Sequence, residues 1–145
     1  MRKGGSMMDR HIYRGRRVDN GEWVYGDLRH YANNEVGIAF LNKYEFGLTE
    51  YYEVIPETVG QYIGNTDMHC KDIYEDDIAI VEWFDGNDEY LEEVRGVVFY
   101  NKTDSCYAIK EADGYIANLT NDYAKFMRIT IIGNKWDNPE LLQAV

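Results

Sequence analysis

The chain is short of cysteine, proline, serine and long apolar runs, and each shortage excludes something. Its two cysteines, Cys70 and Cys106, are too few for a disulfide framework. Adding His30 and His69 to them does not give the paired ligand spacings of a zinc site, so no metal is expected there. Neither of its two serines, Ser6 and Ser105, lies in a Gly-x-Ser-x-Gly elbow, which excludes the common serine-hydrolase arrangement. Gly60 and Gly64 lack the Lys-Ser/Thr that a phosphate-binding loop requires, so no nucleotide site or other cofactor is expected. With only two prolines there is little material for a flexible linker. No stretch approaches the ~20 apolar residues of a membrane span, and the opening Met-Arg-Lys-Gly-Gly-Ser-Met-Met has no apolar core of a secretion signal. A cytoplasmic protein with no membrane partner is the expectation.

Positive charge is scarce too, and unevenly placed. The formal net charge is −11, yet residues 1–17 carry six cations, Arg2, Lys3, Arg10, Arg14, Arg16 and Arg17, against Asp9 alone. That segment is therefore +5 and the remaining residues sum to −16. An acidic body repels phosphate backbones and anionic lipid, whereas a basic arm still attracts them. Between Asp72 and Glu93 stand ten carboxylates with no Lys or Arg among them. The Asp85-x-Asn87-x-Glu89 part imitates the start of a calcium loop but lacks the glycine at its sixth position and the glutamate at its twelfth, and reads as a solvated acidic loop.

What the chain has in quantity is apolar and aromatic side chains. At 145 residues, 45% apolar and 14% aromatic, with thirteen tyrosines, it has enough to bury a core of ordinary domain size. Residues 1–11 read as a disordered basic N-terminus, with Met7 or Met8 as an alternative start. Asp19-Asn20-Gly21 between Ile12–Val18 and Glu22–Tyr25 is a hairpin signal, because Asn and Gly both tolerate positive φ. On its second strand Trp23 and Tyr25 share one face. Asn33-Asn34 marks a turn, Val36–Leu41 a strand, Gly47 a break, and Glu50–Ile55 a strand with Tyr51 and Tyr52 on opposite faces.

The central stretch Val54–Trp83 reads as strand, turn and strand, punctuated by Pro56 and the glycines, with the acidic Glu75-Asp76-Asp77 before the apolar run Ile78–Trp83. Tyr90–Val94, Gly96–Asn101, Cys106–Lys110 and Tyr115–Leu119 follow as extended segments, the last two joined at Asp113-Gly114. Residues 121–124 suggest a helical turn before the strand Phe126–Ile132. Asn138-Pro139-Glu140-Leu141-Leu142 reads as a short C-terminal helical turn, with Asn138 as N-cap and Pro139 at its first position. Short strands, tight turns and no long amphipathic helix predict a mainly β protein. The expected form is a small SH3-like antiparallel barrel over residues 54–145, with an additional N-terminal β-subdomain over residues 12–53.

Three separated stretches carry a family resemblance. Arg14-Gly15-Arg16 with Asn20-Gly21-Glu22-Trp23-Val24-Tyr25-Gly26, Val54–Gly64 with Ile73-Tyr74-Glu75 and Asp77-Ile78, and Gly133-Asn134 with Asp137-Asn138-Pro139-Glu140-Leu141-Leu142 resemble the YopX family of temperate phages and prophages of Gram-positive bacteria. The resemblance runs from about residue 12 to residue 142. It implies a β-rich fold with an SH3-type barrel, self-association and an accessory phage role, and no assigned activity. The family usually has Glu-Gly-Asp where this chain has Glu75-Asp76-Asp77, which implies a positive φ at residue 76.

Function is thus expected to be non-enzymatic, exerted by self-association into a homo-oligomer and by binding a host or phage protein. The candidate interaction residues are Arg14, Arg16, Arg17, Trp23, Tyr25, Tyr51, Tyr52, Glu75, Asp76 and Asp77. Two alternatives remain open at this level. In one, Arg14, Arg16 and Arg17 grip nucleic-acid phosphates while Trp23 or Tyr25 stacks on bases. In the other, the acidic body mimics DNA and occupies the basic cleft of a host nucleic-acid-binding protein.

Overall fold

The structure is a computed structural model, and residues 12–41, 49–120 and 125–143 are described. The basic N-terminus, the break at Gly47 and the helical turn expected at residues 121–124 lie outside them. Among the described residues eleven strands run in chain order: β1 (Tyr13–Arg16), β2 (Trp23–His30), β3 (Val36–Leu41), β4 (Thr49–Glu53), β5 (Gly60–Thr66), β6 (Asp72–Tyr74), β7 (Asp77–Asp85), β8 (Tyr90–Asn101), β9 (Cys106–Lys110), β10 (Ile116–Asn118) and β11 (Lys125–Asn134). Short 3-10 turns form at Pro56–Thr58 and Pro139–Leu142. The chain divides into two compact units, residues 1–64 and 65–145.

In the first unit the strands lie in the antiparallel order β4-β3-β2-β1-β5. The Asn20-Gly21 hairpin forms: Gly21 has φ +73, its N–H donates to the Arg17 carbonyl, and the Asn20 side chain accepts from the Glu22 N–H. Alternation then sorts the side chains. Val36, Ile38 and Val54 are buried together, with Tyr13, Val24, Leu28 and Val59 packed against them, while Trp23, Tyr25, Asp27 and Arg29 take the other face of β2. Val54 bridges Arg17 and is only 1% exposed, and β5 pairs with β1, so Val54–Gly64 falls within this unit. Pro56 opens the 3-10 turn, and the Thr58 hydroxyl closes it by donating to the Ile55 carbonyl while accepting the Arg16 N–H.

The second unit holds a five-stranded antiparallel sheet in the order β10-β9-β8-β7-β11. Its inward row includes Ala79, Val81 and Trp83 of β7, Val94 and Val98 of β8, Ile109, Ala117 and Ile129, all buried. The two segments expected at Tyr90–Val94 and Gly96–Asn101 are one continuous strand. Gly96 marks a close approach rather than a turn, because a Cβ there would collide with the Lys110 carbonyl at the C-terminal end of β9.

The expected closed barrel over residues 54–145 does not form, and the physical reason lies at the edge of β11. The Met68 N–H donates to the Ile129 carbonyl at 2.9 Å, and the Asp67 carboxylate accepts the Ile131 N–H at 3.1 Å. Groups that a closing strand would need are therefore satisfied by the loop after β5. At the opposite end β10 is three residues long and pairs with β9 alone among the described strands. The sheet stays open. The C-terminal turn forms with Pro139 leading it, but Asn138 does not cap it; its side chain accepts the Asn134 N–H instead.

Candidate interaction surface

The register of the first hairpin decides which candidate residues meet. Arg14 stands opposite Tyr25 and Arg16 opposite Trp23, so all four project from one face. The Arg14 guanidinium lies 4.9 Å from the Trp23 ring centroid and that of Arg16 lies 5.8 Å from it. Two cations share one indole, which favours them electrostatically and covers their hydrophobic stems. Arg14 is only 5% exposed, whereas Tyr25 is 47% exposed. The Arg14 charge is thus an internal component of the face, and Tyr25 is the part presented to solvent.

Arg17, one residue further, belongs to a different group. Its Nε and Nη2 donate to the two Asp19 carboxylate oxygens at 2.9 and 2.6 Å, and the guanidinium lies 3.9 Å from the Tyr52 ring centroid. The Asp19 hydrogen bonds raise the Arg17 pKa and hold the Asp19 carboxyl below its usual range. The pair is solvent-facing, so it fixes geometry more than it stabilises.

Tyr51 and Tyr52 face opposite ways on β4. Tyr52 stacks on Phe40 at 5.8 Å between ring centroids. Tyr51 lies over Gly37, meets Tyr31 edge-on at 5.3 Å, and directs its hydroxyl to the Glu35 carboxylate at 3.4 Å. Desolvation, followed by the Glu35 charge, pushes the Tyr51 phenol up to about 12. Asp27 pairs with Ala39 and Ala39 with Tyr51, which puts Tyr51 on the same face as Tyr25. This face therefore presents Tyr25, Tyr31 and Tyr51, with exposures of 47, 47 and 37%, around Arg14 buried against the half-buried Trp23.

The acidic turn, in the second unit, is built differently from a presented charged patch. Asp76 has φ +71, the left-handed conformation that a family glycine at this place implies. Its N–H donates to the Val98 carbonyl, its carbonyl accepts the Lys135 N–H, and its carboxylate pairs with Lys135 at 3.3 Å. Asp77 is 2% exposed and accepts the Tyr74 N–H at 2.8 Å; Glu75 is half-buried. Asp77 also pairs with Asn134 and Ile78 with Gly133, so the central and C-terminal sequence motifs meet here. The Asn134 side chain then accepts the N–H groups of Trp136 and Asp137, which turns the chain toward Pro139.

Asp85 is likewise occupied by its own loop, accepting the N–H groups of Asn87 and Glu89. Among the described residues no group of three His, Cys, Asp or Glu is placed to hold a metal ion. Cys70 is exposed and Cys106 half-buried, both as free thiols. Sequence reasoning missed Tyr31, Glu35 and Asp67. Tyr31 stands just past the end of β2, two residues before the Asn33-Asn34 turn, and its even spacing from Tyr25 was the available signal. Asp67 had only a polar turn around it.

The family model described as YopX protein matches residues 12–143 of the chain. No curated protein and no solved structure matches it.

Proposed function

The chain belongs to the YopX family, and from that premise we propose that it is a non-enzymatic accessory protein acting through protein–protein contact, self-association included. The observation that carries this reading is the tyrosine face of the first unit: Tyr25, Tyr31 and Tyr51 exposed around an Arg–Trp stack. Tyr, Trp and Arg are the residue types enriched at interface hot spots, Tyr and Trp because each offers a large apolar area with a polar tip at a small cost in side-chain freedom. Arg14 and Arg16 laid on Trp23 pre-order the surface around the tyrosines. The setting this implies is the cytoplasm of a host bacterium, with a phage genome as the source; among the described residues no helix is long and apolar enough to cross a membrane.

Nucleic-acid binding through Arg14, Arg16 and Arg17 is the weaker reading. It needs guanidiniums free to reach phosphate, whereas Arg14 is buried and Arg17 already grips Asp19. The DNA-mimic reading draws on the −11 net charge alone. Sedimentation velocity over a range of concentrations tests the preferred reading. The expected result is a species heavier than one chain that dissociates in a Tyr25→Ala/Tyr51→Ala variant; a monomer at every concentration counts against self-association.

A further inference from the structure

The concave face of the C-terminal sheet ends in a cavity of about 250 Å³ lined by Trp83, Glu92, Tyr115, Asn118, Thr120 and Lys125. These residues come from strands far apart in the sheet. Asn118 is in β10 at one end of the strand order, Lys125 begins β11 at the other, and Trp83 and Glu92 are cross-strand partners on β7 and β8 between them. The sheet therefore curls until its end strands face each other across a seam. The cavity occupies that seam, where a closed barrel would have continuous pairing.

Two features set the cavity apart from a packing defect. Glu92 breaks the pattern of its strand, since the inward positions of β8 run Glu92, Val94, Gly96, Val98 and the last three are buried. A carboxylate in line with an apolar row and beside Trp83, itself 3% exposed, is the kind of local inconsistency that functional sites carry. Lys125 supplies the opposite charge, its Nζ lying 6.0 Å from the Trp83 ring centroid. Among the described residues neither Glu92 nor Lys125 has an ion-pair partner. The Asn118 side chain is engaged on the other face from Ala117, accepting from Asn101 at 3.0 Å and donating to Asp104 at 2.8 Å, so it is not among the groups that meet a ligand.

We propose that the seam binds a small zwitterion with neighbouring ammonium and carboxylate groups, the chemistry of a free α-amino acid. The ammonium pairs with Glu92 and the carboxylate with Lys125, while Thr120 adds a hydroxyl and Tyr115 closes the rim. A neutral sugar would leave both protein charges unpaired in a half-enclosed space, and an ion of one sign would be repelled by one of them. The volume falls just below the range of drug-sized pockets, about 300–1,000 Å³, which suits a ligand of this size.

The test is a titration of the full chain with glycine, followed by the indole N–H resonances of Trp23, Trp83 and Trp136. The expected result is a saturable shift at Trp83 alone, with a Kd on the order of 1 mM. N-acetylglycine and glycinamide, each lacking one charge, should bind about tenfold more weakly or worse. Glu92→Gln and Lys125→Gln should abolish the shift while leaving the rest of the spectrum in place. The proposal is overturned by the absence of a saturable Trp83 shift, by N-acetylglycine or glycinamide binding as well as glycine, or by D-glucose moving Trp83 more than glycine does. The comparison among the three ligands requires no variant, so it stands even if a substitution perturbs folding.

Discussion

Two carboxylates illustrate what single residues do in the C-terminal unit. Asp67 is 6% exposed, and its oxygens accept three backbone N–H groups, from His69, Lys71 and Ile131. Burial alone would raise its pKa; the three N–H donors outweigh burial and hold it below the usual carboxylate value. A depressed folded-state pKa means that the stabilisation is complete above the unfolded value, about 3.9, and is lost as pH falls through the folded one. Asp67→Asn, which turns an amide NH2 toward backbone donors, should cost about 1–3 kcal/mol near neutral pH. In urea titrations the gap between wild type and variant should narrow below about pH 4; a gap that stays constant into acid would show that the charge is not what holds the loop. Asp76 makes the opposite case, a residue at φ +71 where glycine is relaxed. Asp76→Gly should raise the melting temperature, gaining up to ~1 kcal/mol from relieved backbone strain. It also loses the Lys135 pair, a partly exposed contact worth ~0–1 kcal/mol and screened by salt, so the gain should be clearest at high ionic strength. An unchanged or lowered melting temperature there would remove the strain argument. The Glu75-Asp76-Asp77 departure was visible in the sequence because positive φ is a local, one-residue property. The fate of Arg14 and Arg17 was not, because burial and the Asp19 pairing depend on what the strands bring beside them.

At the scale of elements, the first hairpin and the residue that seals it are coupled through Gly15. A Cβ at that position would lie 2.9 Å from the Val54 Cβ and from its Cγ2. Val54 is β-branched and 1% exposed, so it cannot swing aside. Gly15→Ala should therefore destabilise by about 1–3 kcal/mol through overpacking. That exceeds the ~0.4–1 kcal/mol that alanine returns by restricting the unfolded chain. In a double-mutant cycle with Val54→Ala the coupling energy should be at least ~0.5 kcal/mol; additive losses in chemical denaturation would show that the two residues do not press on each other. The hairpin itself was legible, since Asn20-Gly21 and the alternation around it are adjacent in the chain. The continuity of β8 through Gly96 was not, because a glycine at a close backbone approach and a glycine at a turn look alike until Lys110 is placed against it.

For the whole molecule, the dominant global property is charge. With a net −11, two copies repel at long range, so the self-association proposed through Tyr25, Tyr31 and Tyr51 would have to overcome that repulsion. Added salt should accordingly strengthen self-association by screening, as read by light scattering at several ionic strengths. Association that weakens with salt would point instead to pairing of the basic N-terminal charges with the acidic body. The amino-acid sequence by itself determined the β class, most strand positions, the Asn20-Gly21 turn, the glycine-like conformation at residue 76 and the family, because these rest on local backbone preference, period-two alternation and motif order. Only the tertiary structure decided that the C-terminal sheet stays open, since that depends on Asp67 and Met68 reaching β11 some sixty residues away. It alone put Arg14 beneath a tyrosine face and brought Glu92 and Lys125 to either side of Trp83 at one cavity. Such pairings between distant residues are fixed by packing and register, and no local pattern in a chain carries them.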